Sequence, residues 1–437
     1  MTPVEESLLA EPRAPAGLPA YAMELRRKGR ETFRGLGLPS PRLEEWRFTS
    51  LAGLAAERFT FGDPAAPLGA AELERLAGRR LGPRLVFVNG RLRADLSDSA
   101  GLPAGAFAGS LGRALEEQPA LLEPHLGRLA SPPGLALSAL NAALLADGAF
   151  VHLPEGCRAA EPVELVFVTA GGSLATASPF RVLVVAGPGS EATVVERHAA
   201  RGTATVLTNG VTEVVLAAGA RLDHYVVQNQ PANAYHFASL FAEAERDASF
   251  HTHATALGAA LSRSDVRVRL AGEGAEAKIV GLYMADGKRL VDNHSLVEHA
   301  RPHGTSREVF KGVLDGESRA VFGGRIRVLE GAMKTDAHQM NSNLLLSRDA
   351  TVDTMPQLEI YADDVKCGHG GTVGQLDPDS LFYLRSRGLP LARARSLLIY
   401  AFAREMVELV RPKALRDEVG KLVAARLPDG TRVLEAA

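Results

Sequence analysis

The chain has 437 residues, 46% of them hydrophobic, with 49 lysines and arginines against 51 acids, a net charge of -2 and a pI near 6.7. Basic and acidic residues are interspersed, so nothing resembles the electrostatic footprint of a nucleic-acid partner. Two cysteines, Cys157 and Cys367, exclude a disulfide framework, and no run approaches the roughly 20 apolar residues that cross a bilayer.

At the start of the chain Glu5 and Glu6 stand where a signal peptide would carry positive charge. Together with the scarcity of cysteine this predicts a cytoplasmic protein with no membrane partner. Residues 1–149 read as a mostly helical region with one short hairpin. Ala20 to Leu36 is a charged amphipathic helix, ended by the proline- and glycine-containing segment GLPSPRLEEWRFTSL, Gly37 to Leu51. That segment holds the only tryptophan, Trp46, beside Glu44 and Glu45. The expectation is a buried ring next to solvated carboxylates rather than an acid pair beside an aromatic platform. In Arg84 to Leu96 apolar runs flank Asn89-Gly90, a two-residue hairpin signal. Alanines and leucines at helical spacing then predict a helical stretch from Leu111 to Leu145.

From residue 150 to 385 short β-rich runs alternate with small residues and turns. Comparable units begin at Ala192, Ala220, Ala248, Ala275, Ser318 and Ala350, at intervals of 28, 28, 27, 43 and 32 residues. A near-constant period with one insertion, in the fourth interval, predicts a solenoid, and a parallel β-helix fits best because each coil buries its inward side chains only against its neighbours. A propeller would need a longer period and an aromatic motif in each blade. His251-Thr252-His253 puts two imidazoles on one strand face, but Ala256, Leu257 and Gly258 stand where a cupin site would place its glutamate. Histidines are otherwise scattered through these coils, and each is expected to be hydrogen-bonded to a neighbouring coil or solvated; His152 is read the same way, and Cys157 as a buried structural thiol. No G-x-x-x-x-G-K-[ST] occurs, so the chain itself is expected to bind no nucleotide.

Within Gln339 to Gly388 a thiol, an imidazole, two adjacent carboxylates and several glycines come together. Cys367 and His369 lie two residues apart, so on an extended backbone both leave from the same face. Gly368, Gly370 and Gly371 allow another backbone to come close. Thiolate with imidazole suits a metal such as iron or zinc, yet two ligands do not complete a site. Beyond Gly388 the pattern becomes helical over residues 386–437. Leu391 to Val410 contains the apolar run LLIYAFA and must be covered on several sides, and Ala414 to Leu427 is amphipathic. The first of these helices either caps the solenoid, with the second lying over it, or docks a partner.

NLLLS at 343–347, PQLEIYADDVKCGHGGTVGQLD at 356–377 and LFYLRSRG at 381–388 closely resemble the signature of the SufD family, and the Glu-Glu-Trp at 44–46 resembles a motif near the start of SufB and SufD proteins. The family's usual Cys-Ser-His-Gly-Ala-Thr reads Cys-Gly-His-Gly-Gly-Thr here, with thiol and imidazole kept. The resemblance implies a mainly β fold, a right-handed parallel β-helix between helical ends. It also implies a non-ATPase scaffold subunit of the SufBCD complex for iron-sulfur cluster assembly, paired with SufB through the β-helix and docked to the ATPase SufC through the C-terminal helices. On the resemblance His369, and less directly Cys367, would bind iron or a transient cluster shared with the partner subunit. Cys367 is equally readable as a sulfur relay or a small residue inside a coil. Two cysteines do not supply the four thiolates usual for a cluster, so further ligands must come from another subunit or from solvent. A homodimer in isolation, the paralogous SufB, and a stand-alone β-helix enzyme such as a polysaccharide lyase or metal-dependent isomerase are the alternatives. Aromatics at 5%, with the tryptophan outside the solenoid, argue against a sugar groove.

Overall fold

A run of coils with the same register gives the molecule its frame. In the computed structural model, which describes residues 1–10, 17–131 and 134–434, strands separated by one intervening strand pair in parallel. Arg221–Gln228, for example, lies between Glu191–Arg201 and Ser249–Ala256, residue against residue. The result is a β-solenoid of about eight turns, mainly β, with helices towards both termini.

The two sheets of the solenoid face each other across a common lumen. Alternate residues point inward, and Val182, Val184, Val194, Leu222, Phe250, Val268, Ile279 and Phe322 are all buried there. Strands of the second sheet start at residues 191, 221, 249, 276, 305, 336 and 366, each coil adding 27 to 31 residues. Two positions before each start stands a residue with left-handed backbone: Gly189, Gly219, Asp247, Gly274, His303, Lys334 and Asp364, with φ between 55° and 69°. The N–H groups of the first six donate to the corner of the next coil, as from Gly219 to the Arg246 carbonyl (2.8 Å) and from His303 to that of Met333 (2.9 Å). These corners set the period.

That ladder corrects one expectation. The 43-residue interval contains no insertion: the units at Ala192, Ala220, Ala248 and Ala275 sit at second-sheet strands, whereas Ser318 and Ala350 introduce first-sheet strands, Arg319–Val328 and Thr351–Thr354. The second-sheet strand between them is Thr305–Leu314, whose corner residue is a histidine rather than a glycine or an acid. The stretch expected to be helical from Leu111 to Leu145 is also divided, into Leu111–Glu117, Pro119–Leu122 and Ala136–Ala143.

The two ends of the solenoid differ. At the first end Arg84–Val88 joins the second sheet in parallel and turns at Asn89-Gly90 into Arg91–Leu92, as the hairpin signal predicts, while Phe107–Ser110 closes the first sheet antiparallel to Gly148–Leu153. At the far end the second sheet stops at Lys366–Gly374, which pairs with Asp336–Leu345 on one side and with no strand of the described residues on the other. The C-terminal helices do not cover that end. Leu391–Val407 and Lys413–Ala424 lie along the outer face of the second sheet, where Ile399, Tyr400, Met406 and Val419 pack on Tyr225, Val280, Leu282 and Val313. His253 Nε2 donates to the Met406 carbonyl (2.9 Å), and Arg197 binds Glu418 (2.5 Å). Of the two roles weighed for these helices, that of a cap over the coil end is therefore corrected: an apolar outer face, not an open coil, is what they bury.

On the opposite flank the Glu44–Trp46 turn fastens the N-terminal region to the first sheet. Trp46 is buried under the Arg263 guanidinium, 3.9 Å from its ring centre, and Glu44 is exposed. Arg263 also donates to Asp292 (2.5 Å) and to the Glu45 carbonyl (2.7 Å), and Thr49 donates to Asp292 (2.6 Å). Among the described residues no helix is long and apolar enough to cross a membrane.

Candidate functional site

The strand Lys366–Gly374 is held extended by its parallel pairing with Asp336–Leu345, and on its outer face Gly368, Gly370 and Gly374 leave room beside the preceding coil. Gly368 and Gly370 stack over His338 and Met340 of the preceding coil, where a Cβ at 370 would press on the Met340 methyl. The register sets Cys367 on Ala337 and His369 on Gln339, both of which face the lumen. Cys367 and His369 therefore share the lumen face, as their spacing predicts, but in different surroundings. Cys367 is half-buried against Ile326, Val328, Ala332 and Ala337, and burial pushes its thiol up. His369 is exposed at the open mouth and makes no side-chain hydrogen bond among the described residues.

The carboxylates of the same segment turn away. Asp364 is the left-handed corner residue and pairs with Lys334 on the outside of the coil, and Asp363 is exposed. Among the described residues no group of three or more histidines, cysteines or acids converges as a metal site.

The surroundings of this corner are those of a docking face. The strand has an unpaired edge, and around it Ile360, Tyr361, Val373, Phe382 and Tyr383 are exposed, Phe382 to 74%. Unpaired N–H and C=O groups beside apolar side chains favour the addition of another chain. Phe382 and Tyr383 belong to a helix, Pro378–Ser386, that the sequence reading placed at the end of the β-helix. Its signal was present: Asp377 accepts from the backbone N–H groups of Asp379 and Ser380, with Pro378 in the first turn. None of its residues is buried.

The other histidines singled out in the sequence lie apart from this corner. His251 and His253 share the outer face, the first beside Asp223 (3.2 Å) and the second under the C-terminal helices. His224 lies in the lumen between Glu196 (3.1 Å) and Thr252 (3.0 Å), and the His198 ring stacks on Phe167 and Phe180. His152 is half-buried beside Phe150, and Cys157 is buried in the core of the first coils.

Sequence reasoning missed the polar lumen behind the open mouth. Tyr283 donates to Asn343 (2.5 Å), Asn341 to Tyr283 (3.1 Å) and Asn343 to Asn341 (2.7 Å), all buried. One coil further in, burial pushes the Glu308 carboxyl up to about 7. The alternation in DAHQMNSN contained the signal, but its inward positions are the polar Gln339, Asn341 and Asn343, and period alone does not say which face is inside.

The chain matches two family models: "SufBD protein N-terminal region" over residues 17–165 and "SUF system FeS cluster assembly, SufBD core domain" over 167–402. It is 33% identical to the iron-sulfur cluster assembly protein SufD of Escherichia coli (strain K12), over 91% of each chain. A SufBD family protein of Synechocystis, slr0076, is 32% identical over 90% of this chain and 88% of its own. Protein ABCI7, chloroplastic, of Arabidopsis thaliana is 28% identical over 95% and 87%.

Proposed function

The chain belongs to the SufBD family, as an iron-sulfur cluster assembly protein of the SufD type, and from that premise we propose that it is the non-ATPase scaffold subunit of a cytoplasmic SufBCD complex. Its far coil pairs with SufB, and the nascent cluster is the cargo formed at the junction. His369 is the donor this subunit brings to that junction, with Cys367 beside it as a second donor or a sulfur relay. SufB supplies the remaining ligands and accepts the sulfur, and SufC supplies ATP-driven shape change.

The observation that carries this reading is the asymmetry of the solenoid. Its first end is closed by a hairpin and an antiparallel strand, whereas the end holding His369 is an open edge rimmed by exposed apolar side chains. Solenoids need their terminal coils covered. An imidazole at such a seam suits a scaffold, because it holds iron more weakly than thiolate and lets a finished cluster leave. SufC is assigned to the C-terminal helical region, residues 386–437, whose helices Leu391–Val407 and Lys413–Ala424 line the second sheet away from that edge.

The test is assembly. Mixed with tagged SufB and SufC, the chain is expected to elute with both as one species and to form clusters only in that mixture. A chain that elutes alone, or turns over a substrate unaided, would overturn the reading.

A further inference from the structure

The lumen beneath the last coil contains polar atoms that the fold leaves without partners. Glu308, Gln339 and His369 occupy one inward column on three successive parallel strands, about 4.8 Å per step. Gln339 is 2% exposed, and among the described residues neither Oε1 nor Nε2 makes a hydrogen bond. Glu308 is equally buried, accepts from Ser295 Oγ (2.5 Å) through Oε2, and leaves Oε1 unpartnered. The Gln339 amide lies near that carboxyl without hydrogen-bond geometry. Across the lumen a glycine accommodates it: a Cβ at residue 324 would collide with the amide nitrogen.

Buried polar groups left in this state are uncommon and need a reason. The neighbouring Tyr283, Asn341 and Asn343 hydrogen-bond one another, so this part of the lumen is not poorly built. The unsatisfied amide sits directly under His369, the imidazole at the mouth, which also lacks a side-chain partner among the described residues. A histidine that gives one ring nitrogen to a metal ordinarily donates the other N–H to a carbonyl or carboxylate, which fixes tautomer and ring direction. A primary amide can accept that N–H through its oxygen and donate through its nitrogen.

We propose that Gln339 is the positioning residue for His369, its amide oxygen accepting one imidazole N–H and its amide nitrogen donating to Glu308 Oε1, so that the other ring nitrogen points out of the mouth. This rests on the reading of His369 as a donor. In register, the two side chains leave neighbouring strands on one face and are within reach of each other.

The test uses the full chain with ¹⁵N-labelled histidine, at a pH about two units above the ordinary imidazole value of about 6.5, with the His369 signal assigned by its loss in His369→Ala. One tautomer is expected to dominate at His369, with a slowly exchanging ring N–H. In Gln339→Met, of similar volume and without the amide, the tautomer ratio is expected to shift by about fivefold and the slow N–H to disappear, with circular dichroism unchanged. The same ratio in the wild type and in Gln339→Met would make Gln339 lumen packing only. Should that variant not fold, a wild-type His369 whose ring N–H exchanges as fast as free imidazole would overturn the proposal unaided. Neither outcome depends on cluster chemistry, so failure here and failure of His369 as a donor are separable.

Discussion

Replacing His369 with alanine is expected to lower cluster formation in the reconstituted three-subunit mixture by at least about tenfold, while the chain still folds and still binds its partners. The separation of effects follows from where the side chain lies. His369 is exposed and fills no buried volume, so its removal leaves no cavity, and the loss of at most one hydrogen bond to the Gln339 amide should change stability by no more than about 1 kcal/mol. Its backbone pairing with Gln339 is indifferent to the side chain. Cluster yield, measured by the visible absorbance of the assembled complex, and elution volume, measured on the same sample, separate chemistry from assembly. Unchanged yield would remove His369 from the mechanism.

The second large effect concerns the fold. Trp46→Ala is expected to cost about 3–5 kcal/mol, the range for losing a buried aromatic ring. The loss is compounded because the ring covers the Arg263 guanidinium, which is 1% exposed and held between Asp265 and Asp292. Burial alone would push the Asp292 carboxyl up, but Arg263, His294 and Thr49 hold it below the usual carboxylate range. Removing the ring admits water to a charge network assembled without it. Trp46→Phe keeps a ring there and should lose less. A fall of several degrees in the thermal midpoint and easier proteolysis between residues 37 and 60 are the expected readouts. A melting curve that overlays the wild type would show that the N-terminal region is held by other contacts.

How far the sequence discloses this molecule depends on which forces leave local marks. The coils were legible because each needs a left-handed corner, which glycine or aspartate supplies at Gly189, Gly219, Asp247 and Gly274. The coil at His303 was passed over because a histidine in that conformation carries no such mark, and the skipped strand then looked like an insertion. Trp46 beside two acids correctly signalled a buried ring, whereas its cation partner lies more than two hundred residues away and left no local trace. Cys367 and His369 share a face by simple alternation, but the difference between a half-buried thiol and an exposed imidazole comes from where the coil ends. The Gln339 amide was the least legible, since an inward polar residue on an alternating strand looks the same as an outward one.

Alkylation of Cys367 with and without SufB tests the central claim most directly, because the thiol sits at the mouth that the partner is proposed to close. Peptide mass spectrometry follows both cysteines, and the buried Cys157 serves as an internal control. On addition of SufB the Cys367 rate should fall by at least about tenfold while that of Cys157 stays the same. A Cys367 rate that does not change when SufB is bound would mean that the partner sits elsewhere and that this corner is not a shared site.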